Sequence, residues 1–217
     1  MHFRDWLPLS ICLITATCLS RTESRADEAA AVERIQQRGG SVEYEGEGKE
    51  RAVVTVSLPG GKIIDDDLKV LKKLPKLRGL SLSGQTGKSP PRGNGRITDA
   101  GLREIAALTS LESLDLRANR ITDHGLKELR SLTKLRSLDL SMTAITDDGL
   151  RELQSLKHLE SLRIWDVGLT DAALSHLHPI KSLKRLALAH AKVTETGLTR
   201  LREALPDIKA ENKTYGR

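Results

Sequence analysis

Residues 121–144 read ITDHGLKELRSLTKLRSLDLSMTA, and Ile145 starts the same phrase again with ITDDGL. The opening words stand also at Ile97 (ITDAGL), Leu169 (LTDAAL) and Val193 (VTETGL), and in a looser copy at Ile63 (IIDDDL). From Ile97 onward the restarts are 24 residues apart. A fixed period of roughly 20–29 residues with leucines in fixed slots identifies a solenoid of stacked coils. Such folds present a surface rather than enclose a reaction.

Two shorter periods alternate inside each copy. Leu126, Leu129, Leu132 and Leu135 recur three apart, which gathers them on one side of a short helix and its exit. The sets beginning at Leu102, Leu150 and Leu174 repeat that spacing. Leu138 and Leu140 then stand two apart, as do Leu114/Leu116, Leu162/Ile164 and Leu186/Leu188. Period two means a strand that turns both side chains inward, and stacking pairs these strands into a parallel sheet about 4.8 Å apart. The Thr before each helix is placed to cap free N–H groups, and the acidic residue after it favours the positive helix end.

The period breaks once. Ile63 and Ile97 are 34 residues apart, and the excess lies near residues 87–96, in GQTGKSPPRGNGR. This insertion follows the first strand on one rim; it reads either as a tolerated surface extension or as a contact loop through Lys88, Arg92 and Arg96. Its GKS is not a phosphate loop. Leu82 stands where that motif needs Gly, and Pro90-Pro91 forbids the helix that should follow.

The copies decay at both ends, as capping units do. Residues 27–38 (DEAAAVERIQQR) have helix formers with Ala31, Val32 and Ile35 on one face, and Gly39-Gly40 stops them. Ser41–Tyr44 and Ala52–Leu58 alternate like strands. The expected organisation is a cap over 27–62, about six coils over 63–211 and a tail over 212–217. Residues 1–26 read as a signal peptide: Arg4, a short apolar run from Leu7 to Leu19, then Ser24-Arg25-Ala26 before a cleavage point at Asp27, with cleavage after Ser20 as the competing site and an uncleaved anchor as the other reading. The expected location is therefore exported: periplasmic, cell-surface or secreted, without stable membrane insertion after cleavage.

At 38% hydrophobic but only 2% aromatic, the chain must build an aliphatic core. Both cysteines, Cys12 and Cys18, lie in the leader, so the mature chain has no disulfide, cysteine metal site or thiol nucleophile. The formal charge is +6, but the basic residues are spread over every repeat among acids. That pattern belongs to a solvated surface, not to a nucleic-acid stripe.

The pattern LTDxGLxxLxxLxxLxxLxL resembles the leucine-rich repeat family, in particular its 24-residue bacterial type related to GALA and ribonuclease-inhibitor-like repeats. The resemblance covers residues 63 to about 211. It implies an α/β fold: a right-handed coil stack with a parallel sheet on the concave face, short helices on the convex face and an N-terminal helix-plus-strand cap. The family's usual asparagine after the strand stands here only as Asn119; Gln85, Thr143, Val167 and Ala191 occupy the equivalent places. Repeats of this kind also resemble those of F-box ubiquitin-ligase receptors, but no F-box-like segment precedes them here. The family implies a non-enzymatic scaffold that binds a protein partner through its strand face.

Where on that face? Between the inward leucines the outward positions form columns, one of which runs Ser81, Asp115, Asp139, Arg163, Ala187. Asp115 beside Asp139 is unfavourable alone, and Arg117 and Arg163 can offset it. Trp165 has no packing reason to stand there. It reads either as a surface aromatic covering a neighbour or as the anchor of an interface, the composition of a hot spot among Arg and Asp. The candidate partner-binding residues are Asp115, Arg117, Asp139, Arg163, Trp165 and Arg185. No cofactor is expected. His176 and His178 fall on the outer helix without a third ligand, and two aspartates are too few oxygens for a hard cation. No nucleophile has a base and an orienting group beside it, so no catalytic residue is assigned. The competing role is a structural component of the cell envelope or one unit of a larger assembly.

Overall fold

The computed structural model describes residues 25–58, 63–84, 95–165 and 167–213. Residues 1–24, Lys88, Arg92 and the last four residues lie outside the described residues, and with them most of the expected leader and insertion. Helix α1 occupies residues 25–37 and buries Ala31, Val32 and Ile35. It stops at Gly39, whose φ of 79° lies in the left-handed region that glycine enters at little steric cost. Strands β1 (Ser41–Glu45) and β2 (Ala52–Ser57) pair antiparallel.

Each coil then adds one parallel strand: β3 (Gly79–Ser81), β4 (Ser113–Asp115), β5 (Ser137–Asp139), β6 (Ser161–Trp165), β7 (Arg185–Ala189) and β8 (Lys209–Lys213). The eight strands form one sheet in chain order. Between them run short helices, partly α and partly 3₁₀. These are a 3₁₀ segment at Asp65–Lys73, α2 (Asp99–Ile105), α3 (Asp123–Leu126) with a 3₁₀ extension to Ser131, a 3₁₀ segment at Asp148–Ser155, α4 (Asp171–Ser175) and α5 (Glu195–Ala204). No helix among the described residues is long and apolar enough to cross a membrane.

The register is the one the 24-residue period requires. Leu80, Leu114, Leu138, Leu162 and Leu186 are successive neighbours across the sheet, and none is more than 2% exposed. One continuous apolar cluster joins them to the helix-side leucines and to α1. The aliphatic core expected from the composition is what fills the solenoid.

The Thr-Asp pair of each restart has a second role that runs between coils. Thr98, Thr122, Thr170 and Thr194 accept a backbone N–H from their own helix starts, as expected. Thr146 does not, because the helix of its coil is 3₁₀ and starts later, at Asp148; like the others it keeps the carbonyl bond, here from the Gly149 N–H. The aspartates, however, are turned toward the next coil. Asp99 Oδ1 accepts the Thr122 N–H at 2.9 Å and its Oδ2 accepts the Thr122 hydroxyl at 2.6 Å. The same two bonds join Asp65 to Thr98, Asp123 to Thr146, Asp147 to Thr170 and Asp171 to Thr194. The threonine hydroxyl thus donates to one coil and, in four of these coils, accepts from its own helix. Only a hydroxyl can do both. The glycine of ITDxGL leaves room for this: a Cβ at Gly125 would lie 2.2 Å from Asp99 Oδ1.

Changing Thr122 to Val keeps the side-chain volume and removes both roles at once. The expected cost is about 1–2 kcal/mol, combining a lost cap with a lost charge-assisted bond at a partly solvated site. Urea denaturation of the two proteins checks it; a cost no larger than that of a neutral surface substitution contradicts the linking role.

The same ladder makes a pH prediction. Hydrogen bonds from Thr194 hold the Asp171 carboxyl below the usual aspartate range, against the opposing effect of burial. Arg136, then Lys184, does the same for Glu160. A carboxyl depressed in the folded state contributes stability that is complete above its unfolded pKa, about 4, and is lost as pH falls through the lower folded value. Thermal stability should therefore decline below about pH 4, and Asp171→Asn should flatten part of that decline. An unchanged slope in the variant contradicts this.

Among the described residues no earlier coil supplies a carboxylate to the first one. Asp67 stands where the later coils have Gly or Ala, is buried, and its Oδ2 accepts the Ile64 N–H at 3.1 Å. Its other oxygen meets Arg38, at the end of α1, at 2.8 Å. The departure from the repeat at Asp67 is thus how the first coil ends its own ladder and fastens the cap. The asparagine that follows β4 is used fully: Asn119 Nδ2 donates to the carbonyls of Leu82, Leu116 and Arg117, and its Oδ1 accepts the Ile97 N–H. Thr143, one coil on, reaches only the Leu140 carbonyl, at 2.6 Å.

Candidate partner-binding face

The strand face is built from alternate residues of β2 to β8, since the intervening ones are spent on the core. Its first row runs Thr55, Gly79, Ser113, Ser137, Ser161, Arg185, Lys209. Its second runs Ser57, Ser81, Asp115, Asp139, Arg163, Ala187, Glu211. A third is anchored by Trp165 paired with Ala189.

The two neighbouring aspartates are compensated. Arg117 Nη2 donates to Asp115 Oδ2 at 3.1 Å, and Ser81 Oγ donates to the same oxygen at 3.3 Å. Arg163 Nη1 donates to Asp139 Oδ2 at 3.1 Å. Each free Oδ1 accepts the backbone N–H two residues on, from Arg117 and Ser141 respectively. Asp139 differs from Asp115 in one respect that matters for binding. It is buried, its side chain 8% exposed beneath Arg163, so it serves to hold the arginine rather than to meet a partner.

Trp165 is 36% exposed, one of three large apolar side chains standing out among the described residues, with Tyr44 and Ile64. The Arg163 guanidinium carbon lies 5.4 Å from its ring centroid, within the range of a cation–π contact. Arg163 is therefore held from two sides, by a buried carboxylate and by an indole, and still presents about half its side chain to solvent. The Trp165 backbone N–H donates to Ser141 Oγ at 3.0 Å, and Ser141 and Ala189 are both buried. Arg185 is exposed on β7.

The structure brings Asp139, Arg163 and Trp165 into one contact group and keeps Asp115 with Arg117 as a second pair beside it. Arg96 is exposed where the chain re-enters the described solenoid, next to Gly95, whose N–H donates to the Ala118 carbonyl at 2.8 Å. Lys209 was missed by the sequence columns, which stopped at Arg185; adding one more period of 24 would have reached it. Among the described residues there is no group of three or more His, Cys, Asp or Glu placed to hold a metal. His176 and His178 lie on the outer layer, where Gln154 Nε2 donates to the His176 carbonyl at 3.3 Å.

A family model described as "Leucine Rich repeat" matches residues 107–129 and 131–153, two successive coils. Those two coils are leucine-rich repeats; the match does not distinguish the 24-residue bacterial type. No curated protein matches the sequence. Among solved structures, internalin C2 of Listeria monocytogenes is 21% identical over 87% of this chain and 86% of its own, with a TM-score of 0.52. A leucine-rich repeat protein of Leptospira interrogans is 26% identical over 66% of this chain and 33% of its own, at 0.47. The Arabidopsis receptor kinase HAESA, solved in complex with the peptide hormone IDA and the co-receptor SERK1, is 19% identical over 77% of this chain and 27% of its own, at 0.50. The internalin and HAESA likenesses are likenesses of fold.

Proposed function

We propose that this leucine-rich repeat protein is an exported, non-catalytic scaffold that binds a protein partner through its concave strand face. One observation carries the proposal: Trp165 stands outside the apolar cluster, on the strand face, beside an arginine pinned by a buried carboxylate. Aromatic and arginine anchors in that arrangement are what interface hot spots are made of. HAESA, which is similar in fold, was solved in complex with a peptide hormone, and this supports the reading. Export rests on the leader-like composition of residues 1–26.

A second reading, one unit of a larger assembly, is favoured by the sheet order, which puts β1 and β8 at its two ends where another strand could add. The test is a pull-down of the tagged mature chain from native extract, read by mass spectrometry, against Trp165→Ala. Loss of specific partners in the variant supports the strand-face reading. Retention of every partner contradicts it, and recovery of the chain itself as the main partner favours assembly.

A further inference from the structure

Charge compensation on the strand face stops partway along the stack. Toward its N-terminal end each carboxylate of the second row already has a cation, Arg117 for Asp115 and Arg163 for Asp139. At the other end Arg185 and Lys209 are direct register partners on β7 and β8. Both are exposed, and neither side chain makes an ion pair or hydrogen bond among the described residues. The buried Leu186 and Ala210 beside them fix both side chains on the outer face of the sheet. Adjacent strands are about 4.8 Å apart, and like charges directly opposite each other are destabilising. Glu211, two residues on from Lys209, is itself engaged. Between this uncompensated pair and Trp165 stands one small residue that is only half-buried, Ala187, with Ala189 buried behind it.

We infer that the partner presents an acidic, extended peptide segment to this end of the strand face, with a carboxylate between Arg185 and Lys209 and an apolar neighbour on Trp165 above Ala187. This rests on the strand-face reading and names its ligand class. An opposite charge relieves the repulsion between the two cations, and the short side chain of Ala187 leaves room for a backbone to lie along the strands. A nucleic acid fits less well, because Asp115 and Glu211 stand on the same face and repel a continuous phosphate chain.

Fluorescence anisotropy on the full chain, with three labelled probes of equal length, tests this: a peptide alternating Glu and Leu, the same peptide with Gln for Glu, and single-stranded DNA. The acidic peptide should bind tightest and weaken with added salt. The double variant Arg185→Glu, Lys209→Glu should lose about tenfold or more of that affinity. Lys127→Glu, a single reversal on the helix layer, should lose little. Failure of the acidic peptide to bind, equal binding of acidic and neutral peptides, or an equal loss in Lys127→Glu overturns the acidic preference. Tighter binding of DNA with the same dependence overturns the peptide. The underlying reading is separable: if the neutral peptide binds and depends on Trp165 but not on Arg185, only the charge preference falls. If Trp165→Ala leaves all peptide binding intact, the strand face falls with it.

Discussion

Truncating Leu138 to alanine should lower the unfolding free energy by about 2–5 kcal/mol. Leu138 sits in β5, 1% exposed, with Leu114 on one side and Leu162 on the other in register. In a stack whose coils touch only their neighbours, a cavity there is lined by the leucines of both adjoining coils at once. A core this poor in aromatics has few large side chains able to swing into the space. The cost should therefore fall in the upper part of that range, and urea unfolding measures it. An equivalent truncation at Lys134, exposed in the turn before the same strand, should change stability by less than about 0.5 kcal/mol. A Leu138 cost no larger than the Lys134 one would contradict the account of the core.

The second large effect is on binding. With the partner in hand, Trp165→Ala should weaken the complex by at least about 2 kcal/mol, roughly 30-fold, while leaving the melting temperature nearly unchanged. The two quantities separate the two readings of this residue. If the indole chiefly covers Ser141 and Ala189, removing it destabilises the fold and spares affinity. If it anchors a partner, the reverse holds. Arg163→Ala is a poorer probe, because it leaves the Asp139 carboxylate, itself 8% exposed, without its cation. Replacing the pair together, Arg163→Gln with Asp139→Asn, removes the charge without stranding one half of it.

Much of the frame was legible in the sequence because the same physics recurs in each coil. A leucine two places from the next can only be an inward strand pair, and a period of 24 dictates that Leu114 meets Leu138 and Leu138 meets Leu162. The rows of the strand face follow from the same arithmetic, including the offset of Asp115 and Asp139 by Arg117 and Arg163. The Thr-Asp rim was read only locally, as helix-start chemistry. Its larger role joins residues 23 apart in most coils, from Asp99 to Thr122 for example, and such a contact exists only once coils are stacked. The burial of Asp139 was not legible either. On a strand face, exposure depends on which long side chain lies over which short one, and Arg163 lies over this aspartate while Asp115 stays partly open. Lys209 was within reach of the period but lay where the repeat had decayed enough to hide its strand.

The central claim is that the repeated letters build the frame while recognition lies in the letters that vary on the strand face. It is tested most directly by site-specific photocrosslinking in native extract. A photoreactive residue at Ser161, on the strand face two residues from Arg163, is compared with one at Lys127, on the helix layer. The account predicts a discrete crosslinked partner from Ser161 that disappears when Trp165 is also alanine, and none from Lys127. Crosslinks to the same partner from Lys127 alone would place recognition on the convex side and contradict it.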